Sequence, residues 1–282
     1  DFLVAGASRG GTSTLHEILD ASGVVHVPRG KELHFFSNDR RFERGLEWYA
    51  ERIAAPAEAA AVAEISPPYF HRGIRRGARG EHVWDPGDDA PARIARTLPN
   101  VRIVFSLRDP VSRAYSQYAK NVLQGNEPAA TFEEAVARER AGERPPELST
   151  ACWLYKNHYR IHLQRYLELF GRDRLHILVF EEWVRQPAEA LRALERFAGL
   201  PAEALGDGSG VAAHNRGRSA YGGIPRRLLR LGRHSRIMQG IFRRLGSRGS
   251  YRPLSPETRA DVRQEFAEDV AYVESLLGRP IP

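Results

Sequence analysis

Short apolar runs separated by amphipathic stretches set the rhythm of this chain. Phe2-Leu3-Val4-Ala5, Val62-Ala63-Glu64-Ile65, Val101–Leu107 and Leu175–Phe180 have the length and residue content of buried strands. Between them, apolar residues recur at helical spacing. A first helix runs through Leu19, and Phe42–Ile53 carries Leu46, Tyr49 and Ile53 on one face. Pro91–Leu98 is a third helix, and a fourth begins near Pro110, where a missing N–H costs nothing. Thr131 and Glu134 stand in capping-box spacing at the head of Thr131–Arg140. Trp153–Phe170, Pro187–Gly199 and Glu257–Leu277 read as further helices, and residues 72–87, 142–150 and 201–223 as loops. Strands alternating with helices predict an α/β fold, a central and mostly parallel sheet flanked by helices. Ligands on such a sheet sit at the carboxyl ends of its strands.

Composition narrows this picture in three ways. A length of 282 residues with 42% hydrophobic content suits one α/β domain spanning 1–282, with 201–256 as a mobile, arginine-rich region inside it. No apolar run approaches the roughly 18–20 residues of a membrane span, and the single cysteine, Cys152, excludes an internal disulfide framework. A cytoplasmic protein is expected on that ground. The chain opens at Asp1 with a strand already under way, which implies that its native N-terminus lies upstream. Net charge is +7, and between Gly208 and Pro256 there are eleven arginines and no acidic residue. An anionic ligand, substrate or surface follows from that balance.

The chemistry begins in the first turn. The run Gly6-Ala7-Ser8-Arg9-Gly10-Gly11-Thr12-Ser13-Thr14 leads from a strand through glycines into a helix, an order that forms an anion cradle. Gly6 and Gly11 stand where the nucleotide-binding pattern G-x-x-x-x-G-K-[ST] has its glycines, but Thr12 occupies the lysine's place. The nearest cation is Arg9, inside the loop. An ordinary ATP or GTP site is therefore disfavoured, while a phosphate-like ligand held by backbone, hydroxyls and Arg9 remains. A plain strand–turn–helix with glycines for packing is the competing reading.

Three strand ends would meet at one edge of a parallel sheet. They bring Arg9, Thr12 and Ser13 from the first turn, Glu64 and Ser66 from the second strand, and Arg108 from the third. Ser116 lies eight residues past Arg108, about two turns into the next helix. Two separate anion sites result, one in the first loop and one at Arg108 with Ser116. A nucleotide phosphorylated at both its 5′ and 3′ positions fits them better than ATP does.

These residues carry a family resemblance. The chain resembles the sulfotransferases that use 3′-phosphoadenosine 5′-phosphosulfate (PAPS), in the branch with heparan sulfate sulfotransferases and bacterial relatives. Arg9-Gly10-Gly11-Thr12-Ser13 is similar to that family's 5′-phosphosulfate loop, with Arg9 in place of a lysine. Leu107–Tyr118 resembles its 3′-phosphate motif, which implies Arg108 and Ser116 as ligands of that phosphate. Glu32-Leu33-His34-Phe35-Phe36 is similar to the segment bearing the family's catalytic glutamate, and Glu64–Phe70 to a Glu-Lys-[Thr/Ser]-Pro-x-Tyr-Phe segment, with Ile65 where some relatives have lysine. The resemblance covers most of the first 200 residues. It implies a single-domain, P-loop-like sulfotransferase fold, PAPS as donor, and Arg9, Gly10, Gly11, Thr12, Ser13, Thr14, Arg108 and Ser116 around the nucleotide. It also implies a cation-bearing loop, Asn215-Arg216-Gly217-Arg218, closing on the 3′-phosphate.

Sulfuryl transfer moves SO₃ from a phosphate oxygen to an acceptor hydroxyl roughly in line. Arg9 and the loop's N–H groups can hold the charge left on the phosphate, and Glu32 is the candidate base. His34 is either a second candidate base or a structural hydrogen-bonder. Glu64 orients Arg9 or the acceptor, or closes its strand. The product is 3′-phosphoadenosine 5′-phosphate, and the acceptor a hydroxyl on a small molecule, a lipid-linked compound or a carbohydrate. No metal site is expected. The alternatives are a phosphate-loop kinase or NTPase, disfavoured by Thr12, and a basic nucleic-acid- or membrane-binding protein, disfavoured because aromatic platforms for bases are lacking. No nucleic-acid partner is expected; residues 216–252 are a possible contact for a membrane surface or an acidic partner.

Overall fold

The computed structural model describes residues 1–30, 32–79, 81–123, 126–144, 151–208 and 254–282. Its centre is a sheet of β1 (Phe2–Gly6), β2 (Val25–His26), β3 (Ala61–Ile65), β6 (Arg102–Leu107) and β7 (Leu175–Val179), in the order β2-β3-β1-β6-β7. Every neighbouring pair is parallel, with Leu3 opposite Glu64 on one side and Ile103 on the other. A small antiparallel hairpin, β4 (Ile74–Arg76) with β5 (His82–Trp84), stands apart from it.

Strand alternation explains why the strands read as unbroken apolar runs. Leu3, Ala5, Ile103, Phe105, Leu175 and Ile177 face one layer, where they pack with Tyr159, Leu163 and Tyr166 of α7 (Tyr159–Phe170) and Ile94 of α4 (Ala90–Thr97). Phe2, Val4, Ala63, Ile65, Val104 and Leu178 face the other, against Leu15 and Leu19 of α1 (Thr12–Ala21) and Leu191 and Leu194 of α9 (Pro187–Ala198). A sheet covered on both faces leaves no position for polar alternation. A third cluster joins α5 (Pro110–Leu123) and α6 (Phe132–Arg140) to Val262 and Phe266. Among the described residues, no helix is long and apolar enough to cross a membrane.

Several boundaries differ from the sequence reading. Residues 72–87 are not wholly a loop, because the β4–β5 hairpin lies within them. The helix expected over Trp153–Phe170 is broken. A 3₁₀ turn, Tyr155–Asn157, precedes α7, and the Lys156 carbonyl and Asn157 side chain bond to Arg113 instead of continuing a helical ladder. Phe42–Ile53 is divided between α2 (Asp39–Phe42) and α3 (Gly45–Ile53), where Gly45 takes φ 82°. The last helix is split into α10 (Pro256–Glu265) and α11 (Ala267–Leu277) at Phe266, whose ring is buried in the third cluster. Most of the arginine-rich region expected over 201–256 lies outside the described residues.

Candidate functional site

The turn after β1 is pinned from below. The Ala7 N–H donates to the Ser106 carbonyl at 3.0 Å, and the Gly10 N–H donates to the Ala7 carbonyl at 3.0 Å. Ser106 in turn donates its hydroxyl to the Gly10 carbonyl and accepts from the Trp183 indole N–H at 2.9 Å. Both glycines are needed for packing as well as for shape. A Cβ on Gly10 would lie 2.2 Å from the Ser106 carbonyl oxygen, and one on Gly11 2.5 Å from the Trp183 ring. Gly11, at φ 86°, is the N-cap of α1, and no side chain caps that end. The first-turn N–H groups thus face the mouth of the loop with the positive end of the helix dipole behind them. Thr12 and Ser13 line the cleft there. Thr14 is buried and turned toward residues 203–208.

Arg9 takes left-handed backbone, φ 70°, and its Nε donates to the Ser116 hydroxyl on α5 at 2.9 Å. Two anion sites expected as separate are therefore joined through this pair. Arg108 sits differently: its guanidinium lies 5.0 Å over the Phe180 ring, with Nε 4.0 Å from Glu181, and that buried Nε has no hydrogen-bond partner among the described residues. One turn before Ser116, Arg113 is buried and spends its guanidinium on protein acceptors. It donates to the Ser8 carbonyl at 2.8 Å, the Lys156 carbonyl at 2.6 Å and the Asn157 side chain at 2.8 Å. Burial pushes its pKa down, partly opposed by Tyr159. The sequence places Arg113 on the helix after Pro110 without giving it a role, yet Arg113, Ser116, Gln117 and Lys120 repeat at intervals of 0, 3, 4 and 7, a polar stripe on one helix face.

Glu32 and His34 both occupy left-handed backbone, φ 66° and 53°, and bring His34 Nε2 to 3.3 Å from the Glu32 carboxylate. Their loop is held from two sides. Arg41 donates to the Glu32 carbonyl at 3.3 Å and to the Leu33 carbonyl. The His34 N–H donates to Ser66 Oγ at 3.2 Å and the Phe36 N–H to the Tyr69 hydroxyl at 3.4 Å, while Phe35 and Phe36 are fully buried.

Beneath this loop lies Glu64, which does not reach Arg9. Its carboxylate accepts from Tyr49 at 2.8 Å, Ser66 at 2.6 Å and Tyr69 at 2.7 Å. Burial outweighs these three donors and raises its pKa. Ile65 points into the core on the α1 face and adds nothing to the cleft.

The cleft has a volume of about 620 Å³ and is bounded by Ser8, Arg9, Thr12 and Ser13, by Glu32 and His34, and by the Arg113–Asn121 face of α5. Among the described residues its lining includes seven cations, Arg9, Arg41, Arg75, Arg76, Arg113, Lys120 and Lys156, against one carboxylate, Glu32. Such a field favours an anionic ligand. The one acidic group in it stands beside an imidazole, where a proton can be accepted. Arg216, Gly217 and Arg218 lie outside the described residues.

Fold and cleft together define a class: a parallel α/β protein with an anion cradle at the carboxyl edge of its sheet and a carboxylate across from it. The sulfotransferase domain model matches residues 1–211, and the chain belongs to that family. A mouse heparan sulfate glucosamine 3-O-sulfotransferase 3A1 is 30% identical over 200 residues, covering 70% of this chain and 45% of the relative. A mouse heparan sulfate glucosamine 3-O-sulfotransferase 5 is 26% identical over 71% of this chain and 53% of its own length. This chain thus spans about half the length of these curated relatives. A sulfotransferase structure from Alicyclobacillus acidocaldarius superimposes with a TM-score of 0.65 at 23% identity, covering 99% of this chain and 96% of that one. That likeness establishes the fold.

Proposed function

We propose that this chain transfers a sulfuryl group from PAPS to an acceptor hydroxyl, with Glu32 as the general base. The observation that carries the reading is the Arg9–Ser116 hydrogen bond, which joins the first loop to α5 across 107 residues, with Arg9 lining the cleft that also holds the Glu32–His34 pair. The residues present suit the donor. A helix end without a side-chain cap, with Arg9, Thr12 and Ser13 lining the cleft beside it, is complementary to phosphate oxygens. A mouse sulfotransferase, SULT7A1, was solved complexed with PAP, and it shares this fold with a TM-score of 0.50 at 11% identity.

When bound, the nucleotide supplies the SO₃ group and leaves as the 3′,5′-bisphosphate. Arg9 and the first-turn N–H groups of α1 hold the phosphate oxygen on which charge develops as the S–O bond breaks. Ser116 and Arg108 hold the 3′-phosphate. Glu32 takes the proton of the acceptor hydroxyl as that oxygen bonds to sulfur, a role worth about 10²–10⁴-fold in rate. His34, 3.3 Å away, orients the carboxylate. The named relatives act on heparan sulfate, and the cationic lining suits an anionic or polyhydroxyl acceptor of that kind.

Titration calorimetry tests the donor assignment. Binding of 3′-phosphoadenosine 5′-phosphate without metal is expected, weakened at least about tenfold by Arg108→Ala. Absence of that binding, with Mg²⁺-dependent ATP binding in its place, would return the chain to the kinase class.

A further inference from the structure

Glu64 presents a puzzle that the reaction does not resolve. It is a carboxylate only 2% exposed at the end of an apolar strand, and its hydrogen-bond partners among the described residues are all hydroxyls. A buried carboxylate without a cation beside it is costly, so its presence requires a reason.

The direction of its hydrogen bonds supplies one. Ser66 and Tyr69 both donate to one carboxyl oxygen, Oε1, which accepts whether or not Oε2 carries a proton, so each of these hydroxyls spends its proton there. Ser66 Oγ and the Tyr69 hydroxyl are then left with lone pairs alone to present on their other sides. Those sides meet backbone N–H groups: His34 at 3.2 Å from Ser66, and Phe36 at 3.4 Å from Tyr69. A neutral amide or an alcohol in place of Glu64 could donate instead, turn a hydroxyl around, and set proton against proton in the second bond. The two N–H groups lie at the end of, and just beyond, a segment in which Glu32 and His34 both hold left-handed backbone. Such conformations persist only where the surroundings over-determine them.

We propose that Glu64 is a positioning residue for Glu32: it polarises the Ser66 and Tyr69 hydroxyls so that they hold the His34 and Phe36 N–H groups, and thereby fixes the 32–36 loop over the cleft. The inference rests on Glu32 being the base. Tyr49, the third donor, bonds the other carboxylate oxygen and meets the loop only through its ring, 4.7 Å from that of Phe35 and 5.2 Å from that of Phe36.

The test uses the full chain with Glu64→Gln, Ser66→Ala, Tyr69→Phe, Glu32→Gln and the Glu64→Gln/Glu32→Gln double variant. Amide hydrogen exchange at His34 and Phe36 is read with 3′-phosphoadenosine 5′-phosphate bound, and turnover is read with PAPS and heparan sulfate. Exchange at His34 should speed at least about tenfold in Glu64→Gln and Ser66→Ala, and exchange at Phe36 likewise in Glu64→Gln and Tyr69→Phe. The kcat of Glu64→Gln should fall about tenfold, with KM for PAPS and affinity for the bisphosphate within about twofold of wild type. In the double variant the Glu64 substitution should cost little more than Glu32→Gln alone, because both act through one group. Unchanged protection at both amides would overturn the proposal whatever the turnover. So would a loss that adds in full to that of Glu32→Gln, or one that falls equally on nucleotide affinity, since either marks general damage to the fold. Should Glu64→Gln fail to fold, Ser66→Ala decides alone, because it leaves the carboxylate and two of its donors in place. If Glu32→Gln itself leaves turnover intact, the base assignment fails, and the exchange result still judges the hold of Glu64 on the loop.

Discussion

Glu32 and His34 are held by backbone more than by side-chain packing. Left-handed φ at a residue other than glycine is disfavoured, and here two such residues flank Leu33 while Arg41 takes up two of the carbonyls they present. The side chains are about one third exposed, so the carboxylate meets solvent and acceptor alike. Glu32→Gln keeps the shape and removes only the proton acceptor. It should lower kcat by about 10²–10⁴-fold while calorimetric affinity for 3′-phosphoadenosine 5′-phosphate stays within about twofold, because the residues proposed to hold the nucleotide lie on the other wall of the cleft. The glutamate was legible in the sequence through Glu32–Phe36. Glu64 was legible as a residue but not as a role: no spacing rule says that Ser66 and Tyr69, two and five positions on, turn back to its carboxylate.

At the scale of elements, the turn from β1 to α1 depends on partners far away in sequence. Ser106 on β6 and Trp183 on α8 (Phe180–Arg185) hold it, and the same indole fills the space a side chain at Gly11 would need. Gly11→Ala therefore meets two penalties, a left-handed backbone at 86° and overlap with the Trp183 and Phe180 rings. A loss of about 2–4 kcal/mol in urea unfolding is expected, with a matching fall in nucleotide affinity as the loop shifts. Gly23→Ala is the control, since a Cβ there meets nothing within 4 Å, and it should show the backbone penalty alone. The competing view of these glycines, that they serve packing, holds together with the anion-cradle view, for the packing is what shapes the cradle. Helix α5 was legible from Pro110 onward, and its interior polar stripe could be read from spacing. That Arg113 would be a buried clamp, rather than a ligand, depended on the Lys156 and Asn157 acceptors some forty residues later.

Across the whole molecule, the C-terminal helices close over the edge of the site's scaffold. Asp269 on α11 accepts from His158 at 2.9 Å and from the Arg160 N–H at 2.8 Å, tying the last helix to the start of α7. Burial works against a charge on His158, but the hydrogen bond and charge of Asp269, with Glu265 and Glu139 nearby, outweigh it and raise the imidazole above its ordinary value. A raised folded-state pKa contributes stability that is complete below about pH 6.5 and is lost as pH climbs through the folded value. Asp269→Asn should therefore cost most in melting temperature near pH 5.5 and progressively less toward pH 9. A difference that stays constant with pH would mean that the carboxylate acts only as an acceptor for Arg160.

The sequence by itself determined the alternation of strands and helices, the glycine turn into α1, the start of α5 near Pro110 and the family, because apolar periodicity, glycine spacing and helix starts are local properties. Only the tertiary structure decided which strand lies beside which and that Arg9 reaches Ser116. It also decided that Arg108 rests on Phe180 and Glu181, and that Glu64 bonds Tyr49, Ser66 and Tyr69 rather than Arg9. The physical reason is that a side chain's role follows from what fills the space around it. In a sheet ordered β2-β3-β1-β6-β7, with parallel strands joined by long crossovers, those neighbours come from positions tens to more than a hundred residues away.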